Sequence, residues 1–502
     1  MTPDPDTLPA AQVDTMDPAE RRSSGWDIRN APRNYISLVV YQAGSAFFSF
    51  AAVWIITKYL GSAGYGGVVA TIAASQVAQI FVNWTALSVA RFGVEEFVNT
   101  GRISNSFWAR TIILLPNTIV FLLFSFLWLP LLSEWLTLPP EAGFYVGLHF
   151  VVSAMWLHVQ YAIQGAKLPR LHGLLIAAER GVIFLILVIL VWADHLGFYT
   201  ALIAYIGSPL LMTVIGSISL RGLVSWRFAI GRDWLWRIIK FSIPLIPYSF
   251  IGYFSSMYLD SIFIVGYLGK AELGVYSLAY QTAGILMQLP LLAGSLLLPF
   301  FVTLRTSNKE TQISSYMQDV MPVLCLLWAV GCVFAALVLS LLIPLAFGVE
   351  MSAASRLVLL LTACTAINGP VLFGYGAFIN AYSATYISTI LTTVLGLTNL
   401  VFNIVLIPKY GLTGAAFASI VAYFASVLVT AMVISYRFNI KRDWAIESTI
   451  PGIMGLVVFW LTESFFAGIL FAGALAVVIT LINRSSVRRG ISLLAAIRTR
   501  NS

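Results

Sequence analysis

A short motif occurs twice in this chain, each time between two long apolar segments. The copies are Tyr59-Leu60-Gly61-Ser62-Ala63-Gly64-Tyr65-Gly66 and Tyr267-Leu268-Gly269-Lys270-Ala271-Glu272-Leu273-Gly274. They stand 208 residues apart and share five of eight positions. A repeat of that period inside an apolar chain predicts two copies of one membrane lobe. Two lobes around a substrate site can expose it to each side in turn, so the repeat points to transport.

Only 10% of the 502 residues are charged and 59% are hydrophobic. Soluble domains carry about 25% charged residues. The chain therefore reads as an all-α integral membrane protein. Its net charge of +8 is that of basic cytoplasmic loops, not of a nucleic-acid binder. Cys325, Cys332 and Cys364 all lie in apolar segments, which predicts neither a disulfide framework nor a metal site. The four histidines have no metal-ligand spacing and read as residues of amphipathic helices. No cofactor is implied.

A hydrocarbon core of about 30 Å needs about 20 apolar residues in a helix. About fourteen stretches qualify, near 35–60, 65–89, 107–131, 144–164, 172–193, 198–220, 238–268, 273–302, 320–347, 355–379, 384–407, 412–436, 446–463 and 465–483. With the N-terminus in the cytoplasm, 24 of the 29 Lys and Arg fall at inner loops and inner helix ends, Arg110 among them. Lys58, Lys270, Arg356 and Lys409 fall outside, and Arg180 falls within a span. That bias supports both termini inside. Six spans separate the motif copies, so both lobes enter from the same side and their symmetry axis runs along the membrane normal.

The resulting organisation is a disordered cytoplasmic tail (1–33) without a signal peptide's apolar core, a six-helix lobe (34–220) and a basic cytoplasmic linker (221–240). A second six-helix lobe (241–440), two extra helices (441–483) and a basic cytoplasmic tail (484–502) follow. The outer loops are short, so function is expected within the bilayer.

Ionisable groups inside a membrane usually face a cavity or a partner. Arg180 lies about 15 Å beyond Arg170 at the helical rise, and Asp260 about 13.5 Å before Gly269. Both are near mid-depth, and the repeat maps them onto Ser388 and Ala52, so the charges do not follow the internal symmetry. Arg180 is a candidate for holding phosphate through paired donors, against a structural pair with Glu179 or a neighbouring helix. Asp260 is a candidate for ion coupling or gating, against a helix–helix hydrogen bond. Arg91 marks the inner end of the second span and could line a vestibule. Gln42, Gln76, Gln79, Asn83, Gln281 and Gln288 serve either as interhelical glue or as a polar lining for a hydrated head group. Pro244, Pro247 and the pair Gly369-Pro370 are candidate hinges, because proline removes a helix hydrogen bond.

The doubled Leu-Gly turn, Phe241-Ser242-Ile243-Pro244-Leu245-Ile246-Pro247, Asp260 followed by Gly274-Val275-Tyr276, and Lys409-Tyr410-Gly411-Leu412-Thr413-Gly414-Ala415-Ala416 resemble the polysaccharide exporters. These are the lipid-linked oligosaccharide flippases of the multidrug/oligosaccharidyl-lipid/polysaccharide superfamily. The likeness covers roughly residues 35 to 440. It implies a V-shaped pair of lobes in a bacterial inner membrane. It also implies transfer of a polyprenyl-pyrophosphate-linked glycan to the periplasmic leaflet, with proton or Na⁺ coupling and other polysaccharide-assembly proteins as partners. Asp260 matches the family's acidic position. A peptidoglycan-precursor lipid flippase and a multidrug/cation antiporter are the alternatives within the superfamily. A membrane glycan polymerase would need a larger outer loop.

Overall fold

A computed structural model describes residues 31–225, 231–243, 246, 257–306, 310–382, 385–438 and 444–500. Among them there is no strand, and ten helices are long and apolar enough to cross a membrane. The chain divides into two compact units. The first comprises residues 1–59 and 71–249, the second residues 60–70 and 250–502.

The first unit takes residues 31–59 and 71–82 of α1 (Ala31–Val82), whose middle, 60–70, belongs to the second unit, together with α2 (Ala86–Thr100), α3 (Ser104–Leu123), α4 (Ser125–Trp135), α5 (Ala142–Gly165), α6 (Pro169–Trp192), α7 (Phe198–Ser219) and α8 (Arg232–Ser242). Where the sequence predicts one span over 107–131, the helix breaks at Phe124. The break strands carbonyls, and the Trp128 indole donates to one of them, Phe121 O, at 3.2 Å. α6 packs along the first half of α1, Gly173 against Leu38 and Tyr41, Gly181 against Phe48. The rising numbers on both helices mean that they run parallel.

The second unit holds α9 (Met257–Leu268), α10 (Lys270–Thr306), α11 (Glu310–Ser315), α12 (Met321–Phe347), α13 (Ser352–Ile367), α14 (Gly376–Ala381), α15 (Thr385–Phe438), α16 (Ala445–Thr462), α17 (Phe465–Ile482) and α18 (Arg484–Arg500). Two π-turns interrupt it, Tyr316–Val320 and Val371–Tyr375. The second follows Gly369-Pro370. There Pro370 offers no N–H to the preceding turn, and the span expected over 355–379 is irregular at its middle. The other candidate hinges, Pro244 and Pro247, lie outside the described residues. α16 and α17, the two helices expected to follow the second lobe, pack on α12 through Ala329, Cys332, Val333, Leu456, Phe459 and Ala472. Small side chains permit this close contact, as is usual between helices in lipid.

The doubled motif takes one backbone solution twice. Its third residue leaves helical geometry at positive φ, 68° at Gly61 and 105° at Gly269, a region that only glycine enters without steric cost. Its eighth residue faces the other copy. A Cβ on Gly66 would sit 1.7 Å from Lys270 O, and one on Gly274 would sit 2.1 Å from Ser62 O. Lys270 and Ser62 are the fourth residues of their copies, so the contact is reciprocal. A third bend of this type falls at Gly411 (φ 58°) inside α15.

Because both obstructing atoms are backbone, a side chain at Gly66 or Gly274 must displace main chain. Overpacking costs about 1–3 kcal/mol where the surroundings can adjust. Gly66→Ala should therefore lower the thermal midpoint in detergent, whereas Gly284→Ala, which meets nothing within 4 Å, should leave it unchanged. Equal midpoints for the two variants would refute the interlock.

Candidate functional site

Asp260 sits in the first turn of α9 and is 2% exposed. Four neutral side chains surround its carboxylate. The Tyr276 hydroxyl of α10 donates to Oδ2 at 2.6 Å, and the Asn403 amide of α15 donates to Oδ1 at 2.6 Å. Asn403 also donates to Asn399 Oδ1 at 2.9 Å, and Ser419 Oγ lies 3.5 Å from Asp260 Oδ2. Asn399 and Asn403 are one helical turn apart, and Ser419 lies beyond the Gly411 bend, so the kink in α15 brings all three to one carboxylate. Among the described residues no Lys or Arg forms an ion pair with it. Asn403 Oδ1 is buried and has no hydrogen-bond donor among them. The cage is thus a buried anion ringed by oxygen and amide groups, with one acceptor unused. Hard monovalent cations and protons both suit such a donor set.

The first unit contains the opposite charge. Arg110, on α3, is fully buried. Its Nη2 donates to Asn83 Oδ1 at 3.0 Å, and its Nη1 lies 3.2 Å from His158 Nδ1. The second contact requires Nδ1 to accept, which places the imidazole proton on Nε2. That nitrogen meets Thr111 Oγ1 at 2.9 Å, and the hydroxyl donates to Phe107 O at 2.9 Å. On the other side Asn83 donates to Gln79, whose amide donates to Phe150 O at 2.6 Å. A run of hydrogen bonds therefore crosses from α3 to α5 through the end of α1. Arg110, which the charge count assigns to an inner helix end, lies in the second turn of α3 with its side chain fully buried. His158 and His149 are interior residues of α5 and not members of an amphipathic face, and His149 meets Ser75 Oγ at 2.5 Å.

The remaining candidates are distributed as follows. Arg180 is half-buried on α6, within electrostatic reach of His149 and Tyr205. Its neighbour Glu179 accepts the Trp156 indole at 2.8 Å. Gln42 is half-buried on the first half of α1, the helix that α6 packs against. Arg91 is exposed on α2, with its guanidinium 5.4 Å from the Phe241 ring. Gln281, on α10, donates to the Tyr65 hydroxyl in the second unit. Sequence reasoning passed over Asn399, Asn403 and Ser419. The legible signal was an Asn pair at i and i+4 in an otherwise apolar run.

No family model matches the chain. The Haloferax volcanii protein named "Probable low-salt glycan biosynthesis flippase Agl15" is 26% identical over 195 residues. That match covers 39% of this chain and 41% of the relative's length. Among solved structures, the lipid II flippase MurJ aligns with a TM-score of 0.63 at 14% identity, over 90% of this chain and 99% of that one. An inward-facing multidrug resistance MATE family transporter of the MOP superfamily aligns with a TM-score of 0.52 at 14% identity, over 81% of this chain and 100% of that one.

Removing the acceptor of a buried cation costs more than removing both partners. Asn83→Leu should destabilise the protein by about 2–3 kcal/mol, on the scale of a hydrogen bond to a charged group. Adding Arg110→Met should recover most of that loss in a double-mutant cycle followed by thermal unfolding. Additive losses would mean that Arg110 does not depend on Asn83. With ten candidate spans and these alignments, the chain is a multi-span helical membrane protein with the fold shared by the lipid II flippase MurJ and the MATE transporters of the MOP superfamily.

Proposed function

We propose that this protein is a flippase. It carries a polyprenyl-pyrophosphate-linked oligosaccharide from the cytoplasmic to the periplasmic leaflet of a bacterial inner membrane. In this reading fourteen spans form two six-helix lobes plus two extra helices, and both termini are cytoplasmic. No bond is made or broken. A glycan head group loses its hydrogen bonds in hydrocarbon, so it needs a hydrated path while the lipid tail stays in the bilayer. Arg180 supplies paired donors to the pyrophosphate, and Arg91, Gln42 and Gln281 line the path of the head group. Gly369-Pro370 is a bending point.

Coupling runs through Asp260, and the neutral cage around its carboxylate is the observation that carries this part of the reading. A proton or Na⁺ entering the cage cancels a buried negative charge, and leaving restores it. The loaded and empty forms therefore favour different conformations, in proportion to the ion's differential affinity for them. The unused Asn403 Oδ1 and the oxygens of Asn399 and Ser419 supply further cation ligands. The name of the Haloferax volcanii relative supports a glycan cargo. The alignment with MurJ supports a second reading, in which the cargo is a peptidoglycan-precursor lipid.

Both readings are tested in reconstituted vesicles. A fluorescent polyprenyl-pyrophosphate oligosaccharide and a lipid II analogue are followed with and without a proton or Na⁺ gradient. Wild type should move the oligosaccharide lipid and respond to one gradient. Asp260→Asn should lose that response. Arg180→Ala should bind the pyrophosphate about tenfold or more weakly, as expected for a lost charge-assisted hydrogen bond. Gradient-driven transport that survives Asp260→Asn would sink the coupling assignment. Transport of the lipid II analogue alone would transfer the protein to the second reading.

A further inference from the structure

The C-terminal helix α18 does not hang free of the bundle. Arg489 reaches back to Asp319, with Nε at 3.1 Å from Oδ2 and Nη2 at 2.9 Å from Oδ1. This is the fork geometry that favours arginine over lysine. The next residue, Gly490, lies so close that a Cβ would fall 2.2 Å from Asp319 O. Val487 packs with Val323, Leu326, Trp444 and Ile479, drawing α12, α17 and the start of α16 to the same place. Asp319 lies in the π-turn Tyr316–Val320 and its side chain is 8% exposed. α18 thus supplies the cation for a largely buried carboxylate, and one face of the helix is fixed to the second unit.

The other face is basic and open. Arg484 and Arg488, one turn apart, are exposed, and neither has an ion-pair partner among the described residues. Ile491 is exposed beside them. Two features set the depth of this face. Leu481 and Ile482 at the end of α17 are largely exposed, as expected of a span still in hydrocarbon. α18 then begins within two residues of them, at Arg484. A basic face with an apolar edge at that level meets lipid head groups.

We propose that α18 is a docking surface for anionic phospholipid in the leaflet where α17 ends. Arg484 and Arg488 contact the phosphates while Arg489 and Gly490 hold the helix to Asp319. The occupant follows from charge complementarity at the interface. Each basic residue near an anionic surface strengthens binding by about fivefold, so the pair contributes about thirtyfold. The attraction fades within a Debye length, so salt weakens it.

The test is amide hydrogen exchange over residues 484–492 of the full chain, in nanodiscs of phosphatidylcholine with and without phosphatidylglycerol. Phosphatidylglycerol should slow exchange by about thirtyfold in wild type, with the effect lost at high salt or in Arg484→Gln/Arg488→Gln. Asp319→Asn should speed exchange in both lipids, which separates docking to the bundle from docking to lipid. Exchange that ignores phosphatidylglycerol, or lipid protection that persists in the double variant, would overturn the proposal. If the double variant fails to fold, the salt dependence in wild type decides. None of these readouts requires the protein to transport anything.

Discussion

The reciprocal contact between the two motif copies constrains everything around it. A glycine from each copy lies on a carbonyl of the other, closer than any side chain permits. Such an approach needs the backbone to arrive at a defined angle, and the positive-φ glycines at Gly61 and Gly269 set it. One glycine turns the chain and the other lets the turned chains meet. Two separate steric conditions thus fall on the same eight residues of each copy.

The two units bury opposite charges by the same means. Arg110 is held by an asparagine, a neutral imidazole and an aromatic ring, Asp260 by a tyrosine, an asparagine and a serine. Neither is neutralised by an ion pair among the described residues. Neutral ligands satisfy individual lone pairs and protons but leave net charge in place, which is costly in a low-dielectric setting. The Arg110 set engages both terminal nitrogens, while Nε has no hydrogen-bond partner among the described residues. The Asp260 set keeps an unused acceptor beside the carboxylate. The unused atom is a donor beside the cation and an acceptor beside the anion, so only the Asp260 set offers a small cation a further oxygen.

The all-helical, multi-span character was legible in the sequence, because a 30 Å apolar slab imposes length and composition on each helix, whereas the break at Phe124 was not. Gly61 and Gly269 mark turns that hydropathy alone would blur, and the recurrence of the motif drew attention to them; Gly411 lies outside both copies. Asp260 was legible as a lone charge in an apolar run. Its cage was not. Asn399 and Ser419 are separated from Asp260 by more than a hundred residues, and only the bent path of α15 converges them. The buried partners of Arg110 were hidden for a related reason. Arg110 lies close enough to a helix start to pass as an interfacial anchor, and its partners come from two other helices.

The C-terminal helix shows the same limit in the basic tail. Composition sees five arginines after residue 483 and assigns them together to the cytoplasmic face. The fold divides their labour. Arg489 is spent on Asp319, at a point where Gly490 permits backbone contact, while Arg484 and Arg488 stay outward on the same helix. A charge count cannot make this distinction, since it depends on which face of the helix a glycine opens to the bundle. The bulged start of the span before α12 meets that face, so a local irregularity in one helix fixes which arginines of another remain available to lipid.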